Sequence, residues 1–456
     1  MNFRNEKNGV AALFLVSLLI RLAYVMFLNV NPLSNGRNIL SIPDDQGSYW
    51  LFAEAFMKDT SWMNHGVSFR PPLYPAFLAI VSSSVGPGKN FLNIMIIQCV
   101  ISALTVVLVY YIAREIFGRR VAIWTSVWVL IYPLYLYYTG FILRETLTIA
   151  LFLLFLLFLF HYLKERKISS IILSGVFFAL LVHTDTRFLF YLPFIVIFLS
   201  FESISWKKTL KAYMIFIVFL FILSFPWAVR NHIAYKDKPV LINTETLDKW
   251  GKRVVINLEK RNNMKRTVRG MVAPETLREF EKRKEKAIRF YSEAKREGQQ
   301  VADVFPKDIP SFAGLTSEEE IRAFNDGVRP SFSVLGLFWY NFKEFWRFAR
   351  FKPDYDPFPD LRFEPVWTLR RNLIGIFFTG LLYPFFIIGA GLIIKKRKSY
   401  SLILLSIILV QTLLHVVVHA RERYRMPVEA LIVMVAFYGV SEMMDRLRLM
   451  LRRDPE

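Results

Sequence analysis

Apolar stretches of roughly 18 to 25 residues recur along the chain, and short polar segments separate them. A helix of that length crosses a hydrocarbon core about 30 Å thick. About ten such stretches predict membrane-spanning helices, with approximate bounds Gly9 to Leu28, Phe91 to Ala113, Val121 to Tyr138, Phe141 to Leu163, Ile168 to Thr184, Phe188 to Phe201, Ala212 to Val229, Leu373 to Ile394, Ser401 to Val418 and Val428 to Met443. The first stretch contains Arg21 and lacks a small-residue cleavage site, so we expect a retained span and not a removable signal peptide.

Clusters of lysine and arginine alternate with the apolar stretches. Basic residues are enriched in the cytoplasmic loops of membrane proteins. A cytoplasmic N-terminus places six clusters on that side: Arg4/Lys7, Arg114/Arg119/Arg120, Lys164/Arg166/Lys167, Lys207/Lys208/Lys211, Lys395/Lys396/Arg397/Lys398 and Arg446/Arg448/Arg452/Arg453. The pattern therefore predicts that both termini are cytoplasmic and that the remaining loops face the other side of the membrane.

Three regions follow from this topology. Residues 1–230 form an N-terminal membrane module, whose first outer loop, 29–90, is expected to carry helices lying in the membrane interface. Residues 231–371 form a mostly helical extracytoplasmic domain, and residues 372–456 form a C-terminal membrane module.

Three helices are predicted within the extracytoplasmic domain. Ala273 to Glu297 is charged with sparse apolar positions, and Ser317 to Glu320 resembles a capping box that opens a second helix. Val334 to Phe351 places aromatic residues at helical spacing with basic residues opposite, which is typical of a helix in the membrane interface. The aromatic core face of a small soluble domain is the alternative.

Composition agrees with a polytopic membrane protein. The 456 residues are 54% hydrophobic and include 43 phenylalanines, which is too apolar and too large for one soluble core. The net charge of +21 would suggest nucleic acid in a soluble protein, but here the basic residues lie mainly in loops, so no nucleic-acid partner is predicted. The single cysteine, Cys99, excludes an intramolecular disulfide and a thiolate metal site.

Charged side chains collect at the predicted outer ends of the spans. Ionised groups near hydrocarbon are costly and usually have a function. Those at this face are Asp44, Asp45, Arg70, Arg144, Glu145, His183, Asp185, Arg187, Arg230, Arg421, Glu422, Arg423 and Arg425. A guanidinium group binds two phosphate oxygens in a bidentate manner, and a carboxylate accepts a proton from an attacking hydroxyl. A phosphate at this depth is expected to belong to a lipid.

Taken singly, each of these residues has a simpler explanation. An arginine at a helix end is commonly an interfacial anchor, and Asp44 or Asp45 could cap the helix that starts there. The aromatic residues Trp50, Phe52 and Phe56 are typical of an interfacial belt. The simpler explanations do not account for charged pairs on at least four separate turns of the same face.

Four motifs together resemble the glycosyltransferases of the GT-C fold. They are Asp45-x-x-x-Tyr49-x-x-x-Ala53, Phe69-Arg70-Pro71-Pro72-Leu73-Tyr74-Pro75, Pro226-Trp227-Ala228-Val229-Arg230-Asn231 and Glu422-Arg423-Tyr424-Arg425-Met426-Pro427-Val428. Their order is similar to that in the bacterial family 39 and 83 enzymes, which include protein O-mannosyltransferases and the lipid A aminoarabinose transferase. Arg144 and the segment Val240 to Lys252 depart from the family pattern.

The resemblance implies roles for individual residues. Asp45 matches the acidic residue of the first outer loop, and Asp44 is then a cap or a neighbour. Arg70 matches the basic residue that holds the donor phosphate, and Glu145 matches a second acidic position. Arg230 is a second phosphate candidate, with Arg423 and Arg425 next. Further site candidates are Tyr49, Asp185, Arg187 and Tyr424.

The function that the resemblance implies is transfer of a hexosyl or pentosyl group from a polyprenyl-phosphate carrier to an acceptor hydroxyl of a lipid, glycan or protein. Transfer would occur with inversion, on the extracytoplasmic face of a bacterial cell membrane. The scheme requires no cofactor, although the outer carboxylates offer oxygen ligands for a divalent ion. The alternatives are a secondary transporter or flippase, which would carry charged or broken helices near the bilayer midplane, and a polymerase or ligase of lipid-linked glycans.

Overall fold

A computed structural model of the chain describes residues 3–28, 45–57, 70–84, 91–200, 205–234, 334–346, 373–397, 399–417 and 422–451. This described part is helical with short turns and contains no β-strand. The helices, in chain order, are α1 (Phe3–Ala23), α2 (Asp45–Met57), α3 (Leu73–Ser84), α4 (Phe91–Phe117), α5 (Arg119–Leu130), α6 (Pro133–Tyr137), α7 (Glu145–Glu165), α8 (Ile168–Thr184), α9 (Leu192–Ser200), α10 (Trp206–Ala234), α11 (Val334–Trp346), α12 (Leu382–Lys396), α13 (Ser399–Val417) and α14 (Met426–Leu451).

Seven helical segments of the described residues are long and apolar enough to cross a membrane: Glu6–Phe27, Phe91–Phe117, Glu145–Glu165, Trp206–Ile233, Leu373–Lys396, Ser399–Val417 and Arg423–Leu451. A bent pair forms an eighth candidate, and the predicted spans in 168–184 and 188–201 are shorter apolar helices. The predicted all-helical, multi-pass architecture is confirmed, with fewer full-length spans than the ten expected.

The bent pair lies where one straight span was predicted at Val121 to Tyr138. Segments Arg119–Leu130 and Pro133–Gly140 meet at 49°. Pro133 begins α6 and Tyr132 before it is extended, with φ −64° and ψ 117°. The ring of a proline disfavours the helical conformation of the residue before it, which accounts for the extended backbone of Tyr132 at the break.

Arg21 stabilises this break from inside the bundle. Its side chain is fully buried and donates hydrogen bonds to Ser102 Oγ at 2.7 Å, to Ser17 Oγ at 2.5 Å and to the carbonyl oxygen of Leu130 at 3.1 Å. Leu130 ends α5, and a helix end leaves its last carbonyl groups without intrahelical partners. Arg21 therefore caps a helix that ends within the bundle, which accounts for a charge in the middle of the first span.

Two glycines allow α12 and α14 to approach closely. A Cβ atom on Gly389 would lie 2.1 Å from the carbonyl oxygen of Val435, and one on Gly439 would lie 2.5 Å from that of Phe385. Both contacts are to backbone atoms, which cannot move aside as a side chain can. Small residues at such crossings are typical of membrane helix packing.

A belt of ion pairs closes one end of the bundle. It joins α1 to α4, α5 to α14, α12 to α14 and α7 to α4 through the pairs Glu6–Arg114 at 2.9 Å, Arg120–Asp445 at 2.6 Å, Lys396–Glu442 at 2.5 Å and Lys164–Glu115 at 3.8 Å. Basic residues of several predicted cytoplasmic clusters thus meet at the same end. The α7 helix runs from this belt to Glu145, about 29 Å away at 1.5 Å per residue.

The chain divides into two units, Met1–Trp250 with Asn341–Glu456, and Gly251–Tyr340. Of the second unit only residues 334–340 are described. The helix predicted from Val334 is present as α11, and its last turn packs on the membrane helices: Phe345 stacks on His415, and Trp346 contacts Tyr383. The helices predicted at 273–297 and from Ser317 lie outside the described residues.

Candidate active site

Charged side chains meet at the end of the bundle away from the ion-pair belt. They come from the start of α2, the turn before α3, the start of α7, the turn after α8 and the turn before α14. Among the described residues this site cluster holds four arginines and three carboxylates, so it carries one net positive charge when all are ionised: Arg70, Arg144, Arg187 and Arg423 with Asp45, Glu145 and Asp185.

Asp45 is held between two guanidinium groups. Arg70 Nη2 lies 2.5 Å from Asp45 Oδ1, and Arg423 Nη2 lies 3.0 Å from Asp45 Oδ2. Burial alone would raise the pKa of this carboxyl, but the two cations outweigh burial and hold the pKa well below its usual range. Asp45 also begins α2, where a negative charge is favourable to the helix dipole.

The first turn of α2 orients Arg70. The Arg70 Nε and Nη2 atoms donate to Ser48 Oγ at 3.1 and 2.9 Å, and the guanidinium lies 4.8 Å from the centre of the Tyr49 ring. Tyr49 is buried and packs edge-on against Tyr74 at 5.0 Å. Residues three and four positions after Asp45 share its face of the helix, which explains why the spacing Asp45, Ser48, Tyr49 serves one arginine.

Arg423 links Asp45 to Glu145. Its Nη1 atom lies 3.8 Å from Glu145 Oε1, and both side chains are largely buried. The second oxygen, Glu145 Oε2, and the hydroxyl of Thr148 one turn later on α7 are buried without a hydrogen-bond partner among the described residues. Both residues line a cavity with an empty volume of about 370 Å³, open solvent included, next to Arg144, Arg187 and Arg423. The cavity thus offers an acceptor and a hydroxyl beside three cations.

Asp185 holds the other two arginines of the cluster. Arg187 Nε donates to both carboxylate oxygens at 2.8 and 2.9 Å, and Arg144 Nη2 lies 3.2 Å from Oδ2. Asp185 is almost fully buried, and Arg144 and Arg187 hold its pKa well below the usual range against the opposing effect of burial. Arg187 also stacks over the ring of Tyr424 at 4.0 Å. This unit fixes two cations at the cavity wall.

Two predicted phosphate candidates lie apart from this cluster. Arg425 is fully buried, bonds Glu429 Oε1 at 2.5 Å and donates to the carbonyl oxygen of Phe345. Arg230 bonds Asn231 and stacks on Trp227.

The position of Trp227 shows where Arg230 reaches the first outer loop. Its ring lies 6.2 Å from that of Phe56 on α2. Phe56 is about 16 Å along α2 from Asp45 at 1.5 Å per residue. Arg230 therefore lies near the C-terminal end of α2. The remaining site candidate, Asp44, lies outside the described residues.

Sequence reasoning did not single out several residues that support the site. Ser48 binds Arg70, Thr148 lines the cavity, and Gln411 and His415 lie beneath Tyr424. Ser48 and Thr148 each lie three residues after a predicted carboxylate, so helical spacing was a usable signal. Gln411 and His415 are four residues apart on an apolar span, where a polar pair is itself unusual. The described residues contain no group of three or more His, Cys, Asp or Glu side chains that could hold a metal ion.

Comparison with known proteins gives a family match over part of the chain. Residues 69–229 match the family model described as dolichyl-phosphate-mannose-protein mannosyltransferase. The matched segment includes Arg70, Glu145, Asp185 and Arg187. No curated protein matches the sequence.

Solved structures share the fold at low sequence identity. The oligosaccharyltransferase AglB of Archaeoglobus fulgidus, in complex with an inhibitory peptide and a dolichol-phosphate, aligns with a TM-score of 0.53 and 14% identity over 98% of this chain and 52% of that one. The apo form of the A. fulgidus oligosaccharyltransferase aligns with a TM-score of 0.51 and 14% identity over 97% of this chain and 51% of that one. ArnT of Cupriavidus metallidurans bound to undecaprenyl phosphate aligns with a TM-score of 0.42 and 13% identity over 97% of this chain and 78% of that one. This chain therefore spans about half the length of the archaeal enzymes it matches. The predicted resemblance to GT-C proteins and the predicted fold class are confirmed.

Proposed function

We propose that this membrane protein transfers a sugar from a polyprenyl-phosphate carrier to an acceptor hydroxyl, with inversion at the anomeric carbon. The observation that carries the proposal is the grip of Arg70 and Arg423, from loops 353 residues apart, on the single carboxylate of Asp45. The family model over residues 69–229 and the shared fold support the same reaction class.

The geometry of the two arginines suits a phosphate. A guanidinium group binds a carboxylate and a phosphate with the same bidentate geometry, through two parallel hydrogen bonds. Two of them converge on one anion at 2.5 and 3.0 Å, and a further two stand at the adjoining cavity. The net positive charge of the site cluster favours an anionic ligand. The lipid tail would remain among the spans while its phosphate meets Arg70 and Arg423.

The proposed reaction is a single displacement. The acceptor oxygen forms a bond to the anomeric carbon, the bond from that carbon to the phosphate oxygen breaks, and the electron pair leaves with the phosphate. Arg70 and Arg423 stabilise the charge on the leaving group, a type of contact whose removal costs on the order of a hundredfold in rate. Asp45 takes the proton from the acceptor hydroxyl. Glu145, whose Oε2 atom has no hydrogen-bond partner among the described residues, orients the sugar or the acceptor in the cavity. This mechanism uses no cofactor.

Donor binding would also prepare the base. Arg70 and Arg423 keep the pKa of Asp45 low while they pair with it. A phosphate that takes over the two guanidinium groups removes these partners and brings a negative charge, and both changes raise the pKa of Asp45. Asp45 is thus a weak base in the empty site and a stronger one beside the bound donor.

Basic residues collect at the end of the bundle that carries the ion-pair belt, which supports a cytoplasmic position for that end. With that orientation the site cluster faces the extracytoplasmic side of a cell membrane. The reaction would then use a donor whose sugar is presented outside the cytoplasm.

The test is donor turnover by the purified full chain in nanodiscs. A panel of radiolabelled polyprenyl-phosphate sugars is incubated with the wild type and with Arg423→Gln, and release of polyprenyl phosphate is measured. We expect turnover of at least one donor by the wild type and a loss of about a hundredfold in the variant. Turnover of none of them, together with transport of a lipid-linked sugar across proteoliposomes, would favour a flippase and overturn the proposal.

A further inference from the structure

Three aromatic rings form a stack that ends at the site cluster. The rings of Phe345 and His415 lie 5.7 Å apart at an interplanar angle of 18°, and those of His415 and Tyr424 lie 4.9 Å apart at 20°. Phe345 and His415 are fully buried. The three rings come from α11, α13 and the turn before α14, so this ring column joins three separate parts of the chain.

The column ends on two arginines of the site cluster. The guanidinium of Arg187 lies 4.0 Å from the centre of the Tyr424 ring, and that of Arg423 lies 5.4 Å from it. A cation within about 6 Å of a ring face is attracted by the negative charge of that face. The plane of Tyr424 therefore helps to set where both guanidinium groups stand, and Arg423 is the residue that contacts Asp45.

One amide fixes the middle of the column. Gln411 Nε2 donates to the carbonyl oxygen of Tyr424 at 2.8 Å and lies 3.2 Å from His415 Nε2, while Gln411 Oε1 accepts from the hydroxyl of Tyr191 at 2.7 Å. The same side chain thus joins the ring of His415 to the backbone of Tyr424.

The lower end of the column is tied to the same turn. Arg425 Nη1 donates to the carbonyl oxygen of Phe345, and Asn341 Nδ2 donates to that of Val416 at 2.9 Å. The C-terminal half of α11 is thus bonded both to α13 and to the turn that carries Arg423.

We propose that Phe345 and His415 are positioning residues that act through Tyr424 to hold Arg423 and Arg187 at the donor phosphate. The proposal rests on the proposed function only in that the ligand of Arg423 is taken to be a lipid phosphate. A leucine fills a similar volume without a planar face, so it removes the orientation and keeps most of the burial.

The test compares binding of undecaprenyl phosphate by the full chain in nanodiscs. The variants are His415→Leu, His415→Phe, which keeps the ring, and the control Phe178→Leu. Phe178 is also fully buried among rings, at 4.9 Å from Phe216 and 5.2 Å from Phe155. We expect His415→Leu to weaken binding by about three- to tenfold, the size of one ring contact. His415→Phe and Phe178→Leu should each stay within about twofold of the wild type.

Wild-type affinity in His415→Leu, or equal weakening in both leucine variants, would overturn the proposal, because loss of packing alone would then explain the result. A second measurement needs no ligand. The melting temperatures of His415→Leu, Arg423→Gln and the double variant should be non-additive, whereas Phe178→Leu with Arg423→Gln should be additive.

If the wild type binds no undecaprenyl phosphate, the assignment of that lipid phosphate to Arg423 fails and the melting cycle alone decides the role of the column. Non-additive losses then retain the positioning of Arg423 by His415. Additive losses refute it.

Discussion

The variant Asp45→Asn should bind the donor phosphate more tightly than the wild type while it loses sugar transfer. In the empty site the Asp45 carboxylate occupies the two guanidinium groups that a phosphate needs. Asparagine has nearly the same shape but no charge. The change therefore removes a competitor for Arg70 and Arg423 and, in the same step, the proposed acceptor of the proton.

The size of the effect follows from the two ion pairs. Exposed pairs contribute about 0.2–1 kcal/mol each. The side chains of Asp45, Arg70 and Arg423 are 31%, 20% and 13% exposed, so the upper part of that range applies. Loss of competition from both pairs is about 1–2 kcal/mol, which corresponds to about 5- to 30-fold tighter binding, since 1.4 kcal/mol is tenfold.

The assay is titration of undecaprenyl phosphate into protein-containing nanodiscs, followed by single-turnover transfer once a donor is known. Glu54→Gln is the matched control, because it also removes one carboxylate from α2, where Glu54 accepts a hydrogen bond from Trp50 Nε1. Glu54→Gln should leave the affinity within about twofold. The gain in Asp45→Asn should shrink at high salt, which screens partly exposed charges.

Unchanged or weaker binding by Asp45→Asn would refute this reasoning. Unchanged binding would mean that the phosphate is held away from Arg70 and Arg423. Weaker binding would mean that Asp45 is needed to keep the two arginines in place and does not compete with the ligand.

Three further variants test other contacts in the structure. Arg423→Lys keeps the charge but loses the planar fork, so single-turnover transfer should fall by about 10- to 100-fold and lie between the wild type and Arg423→Ala; a lysine variant equal to the wild type would contradict a paired grip. Gly389→Ala should lower the melting temperature sharply or prevent folding, because its Cβ would meet a backbone oxygen, whereas Gly391→Ala on the same helix, with no atom within 4 Å of its Cβ, should fold normally. The folded-state pKa of Asp185 is depressed, so its ionised form stabilises the protein above about pH 4 and this contribution is lost as the pH falls further; the melting-temperature difference between wild type and Asp185→Asn should therefore be large at pH 7 and shrink below pH 4, and a pH-independent difference would rule out ionic stabilisation.

Local sequence rules explain many of the elements that carry the site. Helical spacing placed Asp45, Tyr49 and Ala53 on one helix, and α2 begins at Asp45 with Tyr49 and Ala53 buried. Charged residues of separate turns do meet at one end of the bundle, where Arg423 pairs with Asp45 and Glu145. These features follow from hydropathy and helix periodicity, which act over a few turns of chain.

The pairing within the site could not be derived in this way. The sequence assigned Arg70 and Arg230 to one phosphate, whereas the structure brings Arg423 to Asp45 beside Arg70 and places Arg230 near the other end of α2. Arg425, two residues after Arg423, points into the core and pairs with Glu429. In the short helical turn Glu422–Arg425, nearby side chains point in different directions, so Arg423 contacts Asp45 while Arg425 contacts Glu429.

The sequence by itself determined that this is a multi-pass helical membrane protein with its charges gathered at helix ends, because the cost of exposing polar groups to hydrocarbon acts on each segment separately. It did not give the break at Pro133, because the hydropathy pattern predicts one span at Val121 to Tyr138 and a proline, Pro226, lies inside α10 without ending that helix. Only the tertiary structure decided what Arg21 caps, which arginine reaches Asp45 and which rings support it. The contacts of Arg21 with Leu130 and of Arg423 with Asp45 join residues 109 and 378 positions apart, and their geometry depends on how the helices pack together.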